Sequence, residues 1–264
     1  LVGRAPAPTL LYIEDGRVDL LPAASLWGTG ILETTRSLRA AYPGASVMAI
    51  GPAGESGAHS SLAMIDACAT LGRGGLAAVL GSKNLKALVV KGGGGVAIAD
   101  PGRVQELVKG LHQRLENFDM REAAAELGMI GAWPMYASQL LPYGASEEDL
   151  RELTERFGPR AYLELKKCRI SCPSCFLADK DELLLPSTGE SVYSTSFLNA
   201  AIIGCALLMR DAEEAASTLA LLDDLGLDFM TLSWQAAFLL ELREHGFITE
   251  EDAEGIPLAR GAAI

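Results

Sequence analysis

Four consecutive glycines, Gly92–Gly95, divide this sequence into two parts with different patterns of apolar residues. Glycines carry no side chain to pack, so such a run is typical of a link between separately packed units. Before the run, short apolar stretches such as Ser46–Ile50 and Ala87–Val90 have the length and composition of buried strands. We therefore expect one domain over residues 1–98 and a second over residues 99–264.

The first domain combines strand patterns with a helix pattern. Leu10–Ile13 and Val18–Leu20 lie on either side of Asp15-Gly16, a dipeptide that favours a tight hairpin turn. Apolar residues recur with helical spacing in Ile31–Tyr42. These patterns predict a mixed β-sheet domain with helices.

The second domain has mostly helical patterns. Asp100 followed by Pro101 is typical of a helix N-terminus, and Ser146 before acidic residues predicts another. Ala212–Leu225 and Thr231–His245 have the apolar period of amphipathic helices. The whole chain is therefore predicted to be α+β, a mixed β-sheet part followed by a mostly α-helical part.

Composition and charge exclude several classes of protein. A formal net charge of −12 disfavours a nucleic-acid partner, since phosphate backbones bind basic faces. No apolar run approaches the roughly 20 residues that a membrane helix needs. Five cysteines, an odd number, indicate a reducing compartment and not a disulfide framework. We expect a cytoplasmic protein without a membrane partner. We also expect a piece of a longer protein, because the chain begins at Leu1 and its last helix has no clear stop.

The segment Gly72–Lys86 begins with Gly-Arg-Gly-Gly, a candidate anion-binding loop. Glycines let backbone amides approach an anion closely, and the guanidinium of Arg73 can bind a phosphate through two nitrogens. The spacing fits neither the Walker A motif nor the dinucleotide fingerprint. A tight turn followed by close helix packing explains the same composition equally well.

Cys168, Cys172 and Cys175 form a second candidate site, a metal centre. Thiolates at such short spacing commonly bind zinc or an iron–sulfur cluster, and spacing alone does not separate the two. Three ligands on one loop need a fourth from elsewhere. Cys68 and Cys205 lie in apolar surroundings and are expected in the core.

The segment Asp223–Asp228 closes a predicted helix with several carboxylates. Gly226 suits a left-handed C-cap, but carboxylates are electrostatically disfavoured at a helix C-terminus. Such a conflict often marks a functional site, whereas a solvated acidic cap is the ordinary explanation. The isolated histidines His59, His112 and His245 are expected at the surface or at helix ends.

Together these motifs closely resemble the aldehyde:ferredoxin oxidoreductase family. Ala49–Glu55 and Gly72–Gly92 are similar to its N-terminal domain, and the cysteines with Asp-x-x-Gly-Leu-Asp are similar to its helical second domain. The resemblance covers almost the whole chain, and the run from Gly-Arg-Gly-Gly to Gly-Ser-Lys-Asn-Leu-Lys-Ala is highly specific. It implies a tungsten (or molybdenum) ion held by the dithiolenes of two pterins (a bis-molybdopterin cofactor). A [4Fe–4S] cluster would pass electrons to ferredoxin or another iron–sulfur carrier.

The resemblance also assigns residues to the cofactor. The glycine-rich loop would contact the pterin phosphates and a magnesium ion (Mg) that bridges them, and the acidic motif would hydrogen-bond a pterin ring. Chains of the family are much longer, so this chain would be the later part of the β-rich pterin domain with a truncated helical domain, and inactive alone. The residues assigned to cofactor binding are Arg73, Gly74, Gly75, Asp223, Gly226, Leu227 and Asp228.

The cysteine loop departs from the family pattern. The family has Cys-x2-Cys-x3-Cys, whereas this sequence has Cys-x3-Cys-x2-Cys. If Cys172 and Cys175 match the first pair, Asp179 occupies the third position, so either Cys168 or Asp179 is the third metal ligand. Three thiolates are favoured, because iron–sulfur clusters are overwhelmingly bound by thiolates.

The reaction also stays open. Aldehyde-oxidising relatives have a glutamate where this sequence has Ser194–Asn199, and the nearest ionisable groups are Glu190 and Tyr193, so no catalytic residue is assigned. Oxidation of an aldehyde to a carboxylic acid is the leading expectation. The alternatives are reduction of an aromatic thioester, or a non-catalytic iron–sulfur or zinc-binding subunit. Expected partners are a small-molecule substrate, the iron–sulfur electron carrier and another copy of the chain.

Overall fold

The computed structural model describes residues 2–137, 146–171, 175, 177–193, 197–249 and 251–252. Residues before the glycine run form a mixed sheet with helices. The strands are β1 (Thr9–Glu14), β2 (Arg17–Pro22), β3 (Ser46–Ile50), β4 (Ala63–Ile65), β5 (Ala69–Thr70) and β6 (Leu85–Lys91). The helices are α1 (Ile31–Ala41), α2 (Pro52–Glu55) and α3 (Leu76–Ser82).

The sheet has the strand order β2-β1-β6-β3-β4-β5, with β1 parallel to β6 and the other pairs antiparallel. The predicted hairpin is confirmed, because Asp15 and Gly16 form its turn with φ of 45° and 88°. Successive side chains of β3 lie on opposite faces. Val47 packs in a core with α1, whereas Ile50 packs with Ala77 of α3, so helices cover both faces of the sheet.

The rest of the chain is mainly helical, as predicted. Its helices are α4 (Pro101–Glu116), α5 (Arg121–Leu127), α6 (Trp133–Tyr136), α7 (Glu147–Phe157), α8 (Pro159–Leu165), α9 (Phe197–Leu207), α10 (Ala212–Leu225) and α11 (Phe229–Glu244). Every residue of α9 except Asn199 is buried, and α10 and α11 pack against it. The α+β class is confirmed. Among the described residues, no helix is both long enough and apolar enough to cross a membrane.

A three-stranded antiparallel sheet is the main departure from the expected pattern. It consists of β7 (Lys166–Ile170), β8 (Lys180–Leu184) and β9 (Ser191–Tyr193), in that order. Cys168 therefore lies in a strand and not in the expected loop. The sequences of β7 and β8 lack the apolar alternation typical of a strand, because ion pairs take the place of apolar contacts. The buried Asp181 of β8 pairs with Lys166 of β7 at 2.7 Å, and the buried Glu182 pairs with Lys167 at 2.8 Å.

Candidate cofactor site where the sheet meets the helices

The Gly-Arg-Gly-Gly segment is the turn between β5 and α3. Gly75 directly precedes α3 with a φ of 70°, and a Cβ there would lie 2.6 Å from the carbonyl oxygen of His59. Positive φ and crowding both exclude a side chain at this position. At Gly72 and Gly74, by contrast, a Cβ would have no atom within 4 Å, so space is open beside the turn.

The turn has donors that an anion could use. Within the described residues, no protein acceptor receives a hydrogen bond from the backbone amides of Gly72 to Ala77. The side chain of Arg73 is 62% exposed. Free amides in a glycine-rich turn beside a guanidinium are the chemistry by which proteins bind phosphate groups.

Close helix packing, the other explanation for these glycines, is present as well. A Cβ at Gly81 of α3 would lie 1.9 Å from the carbonyl oxygen of Gly54 in α2. Packing thus accounts for Gly81. The positive φ of Gly72 (96°) and Gly74 (111°) is the predicted tight turn, so turn and packing together explain these glycines. The case for an anion rests on the free backbone amides and on Arg73.

The acidic end of α10 docks against the sheet part of the molecule. Gly226 is its left-handed C-cap with a φ of 74°, as predicted. The carbonyl oxygen of Gly226 accepts a hydrogen bond from the amide of Leu62 (2.8 Å), and the amide of Asp228 donates to the carbonyl of Ser60 (2.7 Å). The approach is so close that a Cβ at Gly51 would lie 2.3 Å from the backbone at the end of α10. Backbone contacts therefore hold the motif in place without a ligand.

Asp224 removes part of the electrostatic conflict at this helix end. Its Oδ1 accepts a hydrogen bond from the amide of Leu32 in the first turn of α1 (2.7 Å), and a Cβ at Gly30 would lie 2.1 Å from Oδ2. A helix N-terminus stabilises a carboxylate. Sequence reasoning missed this role because 192 positions separate Asp224 from Leu32.

Asp228 brings the two candidate motifs into contact. Its Oδ2 accepts a hydrogen bond from Nε of Arg73 at 2.8 Å, although the two residues are 155 positions apart. The hydroxyl of Thr231 donates to the same oxygen. Burial opposes ionisation of Asp228, but the hydrogen bonds from Thr231 and Arg73 outweigh it and hold its pKa below the usual value.

Of the other residues assigned to the pterin ring, Asp223 is 6% exposed and Leu227 is half-buried. Asp223 lines a cleft of about 50 Å³ together with Asp224 and Tyr193. Arg73 is not one of the described residues that line this cleft. The structure thus places the acidic motif between the Gly-Arg-Gly-Gly turn and a separate small cleft.

A buried ion pair behind the site was not recognised from the sequence. The Nζ of Lys86 is fully buried and donates to Oε1 of Glu55 (2.5 Å) and to the carbonyl of Thr29 (2.7 Å). The other oxygen of Glu55 accepts from the amide of Gly28 (2.7 Å). Burial lowers the pKa of Lys86, and the hydrogen bond to Glu55 opposes that shift. A lysine within the apolar run of β6 was the available signal.

The predicted metal centre is only partly within the described residues, because Cys172 lies outside them. Among the described residues, no group of three or more histidine, cysteine or acidic side chains could hold a metal ion. The thiol of Cys168 donates to Oε2 of Glu182 (3.2 Å), which raises the pKa of Cys168. Cys175 and Asp179 are half-buried. The choice between Cys168 and Asp179 as the third ligand stays a prediction.

The other two cysteines differ from each other. Cys205 is 1% exposed within α9, and burial raises its pKa to about 12, so the predicted core position is confirmed. Cys68 is only half-buried, in the turn before β5, where its carbonyl accepts a hydrogen bond from Nζ of Lys180 (2.8 Å). It is not a core residue, because this turn lies at the edge of the sheet.

Two ionisable residues precede the stretch where relatives have a glutamate, and residues 194–196 of that stretch lie outside the described residues. Glu190 is exposed, whereas Tyr193 is half-buried. Burial and the nearby Glu182 raise the pKa of Tyr193. Hydrogen bonds from Lys167, Ser191 and Cys168 lower the pKa of Glu182 to about 2, so this carboxylate stays ionised.

The sheet with its glycine-rich turn and the helix α10, whose acidic end meets that sheet, carry the motifs that resemble one family of oxidoreductases. The chain belongs to the aldehyde ferredoxin oxidoreductase family. The family's N-terminal domain matches residues 1–92, and its domains 2 and 3 match residues 106–263. The family predicted from the motifs is confirmed.

Individual relatives are distant and longer. The chain is 29% identical over 263 residues to the tungsten-containing aldehyde ferredoxin oxidoreductase of Pyrococcus abyssi. The alignment covers 96% of this chain and 42% of that protein. It is 24% identical over 268 residues to the WOR-like subunit of an aliphatic sulfonate oxidoreductase of Pyrococcus furiosus, covering 95% of this chain and 43% of that protein. The chain thus spans less than half the length of the curated relatives that it matches.

A solved structure shows the same fold. It is a chain of the active-site complex of benzoyl coenzyme A reductase bound to 1,5-dienoyl-CoA, with a TM-score of 0.76 and 22% identity. The match covers 98% of this chain and 42% of that chain. At this identity the likeness shows the fold alone.

Proposed function

We propose that this chain forms part of a tungsten or molybdenum pterin oxidoreductase, and that its share of the cofactor site lies where the Gly-Arg-Gly-Gly turn meets the end of α10. The observation that carries the proposal is the 2.8 Å ion pair between Arg73 and Asp228. Each residue belongs to a motif that resembles a pterin-binding motif. Two motifs that serve one ligand must lie together, and these two do.

The residues present fit a phosphorylated pterin. The free amides from Gly72 onward and the exposed guanidinium of Arg73 offer donors to a phosphate group and its magnesium counter-ion. The carboxylate of Asp223 and the backbone carbonyl of Leu227 are acceptors that suit the amino and N–H groups of a pterin ring. The carbonyl of Gly226, by contrast, already accepts from Leu62 and fixes the motif in place. When bound, the cofactor would supply the redox chemistry. The residues of this chain would bind it and fix its orientation.

For the reaction, we propose oxidation of an aldehyde to a carboxylic acid, with electrons leaving through a [4Fe–4S] cluster to ferredoxin or a similar carrier. The names of the curated relatives support this choice. Reduction of an aromatic thioester is the second candidate, because the stretch from Ser194 to Asn199 lacks the carboxylate of aldehyde-oxidising relatives. Product analysis with an aldehyde and with an aromatic thioester, each offered to the full-length protein, separates the two.

Substitution of Arg73 by alanine tests the phosphate assignment. In full-length protein purified without oxygen, Arg73→Ala is expected to lower the pterin content at least about tenfold, because a charged hydrogen-bond donor to phosphate is lost. Circular dichroism should stay close to wild type, since the side chain of Arg73 is mostly exposed. Thermal unfolding should occur at a moderately lower temperature, because the buried carboxylate of Asp228 loses one of its donors but keeps Thr231.

The matched control is Arg17→Ala, which removes another exposed arginine and its ion pair with Asp19, far from the turn in sequence. Arg17→Ala should retain the wild-type pterin content. Equal pterin content in both variants would contradict the role of Arg73.

A further inference from the structure

We infer that Asp228 and Thr231 are positioning residues for Arg73. They hold its guanidinium along one edge and leave the remaining nitrogen for an anion. The inference rests on the proposed function and changes one part of it. The carboxylate of Asp228 was expected to contact a pterin ring, whereas here it supports the residue that binds the phosphate.

Three hydrogen bonds connect the three side chains in a closed ring. Nε of Arg73 donates to Oδ2 of Asp228 (2.8 Å), and Nη2 of Arg73 donates to Oγ1 of Thr231 (3.1 Å). The hydroxyl of Thr231 donates onward to Oδ2 of Asp228. Within the described residues, Nη1 of Arg73 has no protein partner. A planar guanidinium held at two nitrogens can no longer rotate, so its free nitrogen has one direction.

The carboxylate of Asp228 is already occupied. Its Oδ1 accepts the amide of Met230 (3.1 Å) and so caps α11, while its Oδ2 accepts from both Arg73 and Thr231. Its side chain is 5% exposed, whereas that of Arg73 is 62% exposed. A ligand that approaches this surface therefore meets the arginine before the carboxylate.

The support is rigid because it stands at the start of a long helix. Asp228 is the N-cap of α11 and Thr231 lies in the first turn, so one helix turn sets both partners. The backbone of Asp228 is itself fixed to Ser60 of the sheet part (2.7 Å). A guanidinium oriented in advance loses less conformational freedom when it binds an anion.

The test compares Thr231→Val, which removes the hydroxyl at nearly constant volume, with Thr231→Ser, which keeps it. Full-length protein is purified without oxygen, and pterin release is followed by the fluorescence of oxidised pterin at several salt concentrations. Thr231→Val is expected to release pterin about two- to tenfold faster than wild type, because a guanidinium that is no longer held must be ordered when it binds the anion. Thr231→Ser should release it at close to the wild-type rate.

The salt dependence separates positioning from a general loosening of the helix. Release from wild type should accelerate with salt, because the contact is between charges, and release from Thr231→Val should depend on salt less. Equal release rates for Thr231→Val and wild type would overturn the inference, as would equal losses in both variants. A wild-type protein that contains no pterin would instead contradict the proposed function, and the inference with it.

Discussion

At the scale of single residues, Lys86 shows how a buried charge can support a site that it does not touch. It donates directly to the carbonyl of Thr29 and, through Glu55, holds the amide of Gly28, just before α1. The first turn of α1 receives the carboxylate of Asp224, from the acidic end of α10. A chain of hydrogen bonds thus connects Lys86 to the candidate site, first to the backbone just before α1 and then from α1 to Asp224.

Replacement of Lys86 by methionine should strongly destabilise the protein. The substitution leaves the carboxylate of Glu55 buried without its cation, which typically costs about 3–5 kcal/mol of unfolding free energy. Urea unfolding measures the change. Lys91→Met is the control, because its ion pair with Glu14 spans 3.5 Å and both side chains are 41% exposed. It should cost less than about 1 kcal/mol, and similar losses in the two variants would contradict the role given to Lys86.

At the scale of elements, two helices begin with the same cap but differ in burial. Asp211 caps α10 by accepting the amide of Glu214, and Asp100 caps α4 by accepting the amide of Arg103, both at 2.9 Å. α10 buries five of its residues, whereas none of the residues of α4 is buried. The stability of the whole protein should therefore depend on the first cap and not on the second.

Asp211→Ala should lower the unfolding free energy by about 1 kcal/mol at pH 7, as is usual for a lost N-cap. Burial opposes ionisation of Asp211, but hydrogen bonds from Arg210 and Glu214 outweigh it and lower its pKa from 3.8. Its contribution is therefore complete above pH 3.8 and is lost as the pH falls through the lowered pKa. The difference between wild type and variant, measured by urea unfolding from pH 7 to pH 3, should shrink only in that acidic range.

Asp100→Ala is the control for this experiment. It should leave global unfolding unchanged and should speed hydrogen exchange only in α4, because a helix without buried residues unfolds locally. A loss at pH 7 as large as that of Asp211→Ala would show that α4 contributes to the common core.

Patterns within one element were predictable, and contacts between elements were not. The hairpin at Asp15, the cap at Asp100 and the C-cap at Gly226 follow from local preferences and are all present. The strands β7 and β8 were missed, because their charged residues satisfy one another in the buried state. The partners of Asp224 and Asp228 could not be predicted, since no local rule connects residues more than 150 positions apart.

At the scale of the whole molecule, the sheet part and the helical part meet at the residues assigned to the cofactor. Backbone pairing of Ser61 with Leu227, the carboxylate of Asp224 on α1 and the ion pair of Arg73 with Asp228 all lie along this junction. The junction is built largely from motif residues. A ligand bound there would hold both parts together.

Metal and pterin analysis of the full-length protein, purified without oxygen, tests the central claim most directly. We predict tungsten or molybdenum with pterin in every sample, and about four irons per chain if the cysteine loop holds a [4Fe–4S] cluster. Iron without pterin would reduce the protein to an electron-transfer subunit, and zinc alone to a zinc-stabilised module. A protein that contains no tungsten, no molybdenum and no pterin would contradict the assignment of the junction between Arg73 and Asp228 as a pterin site.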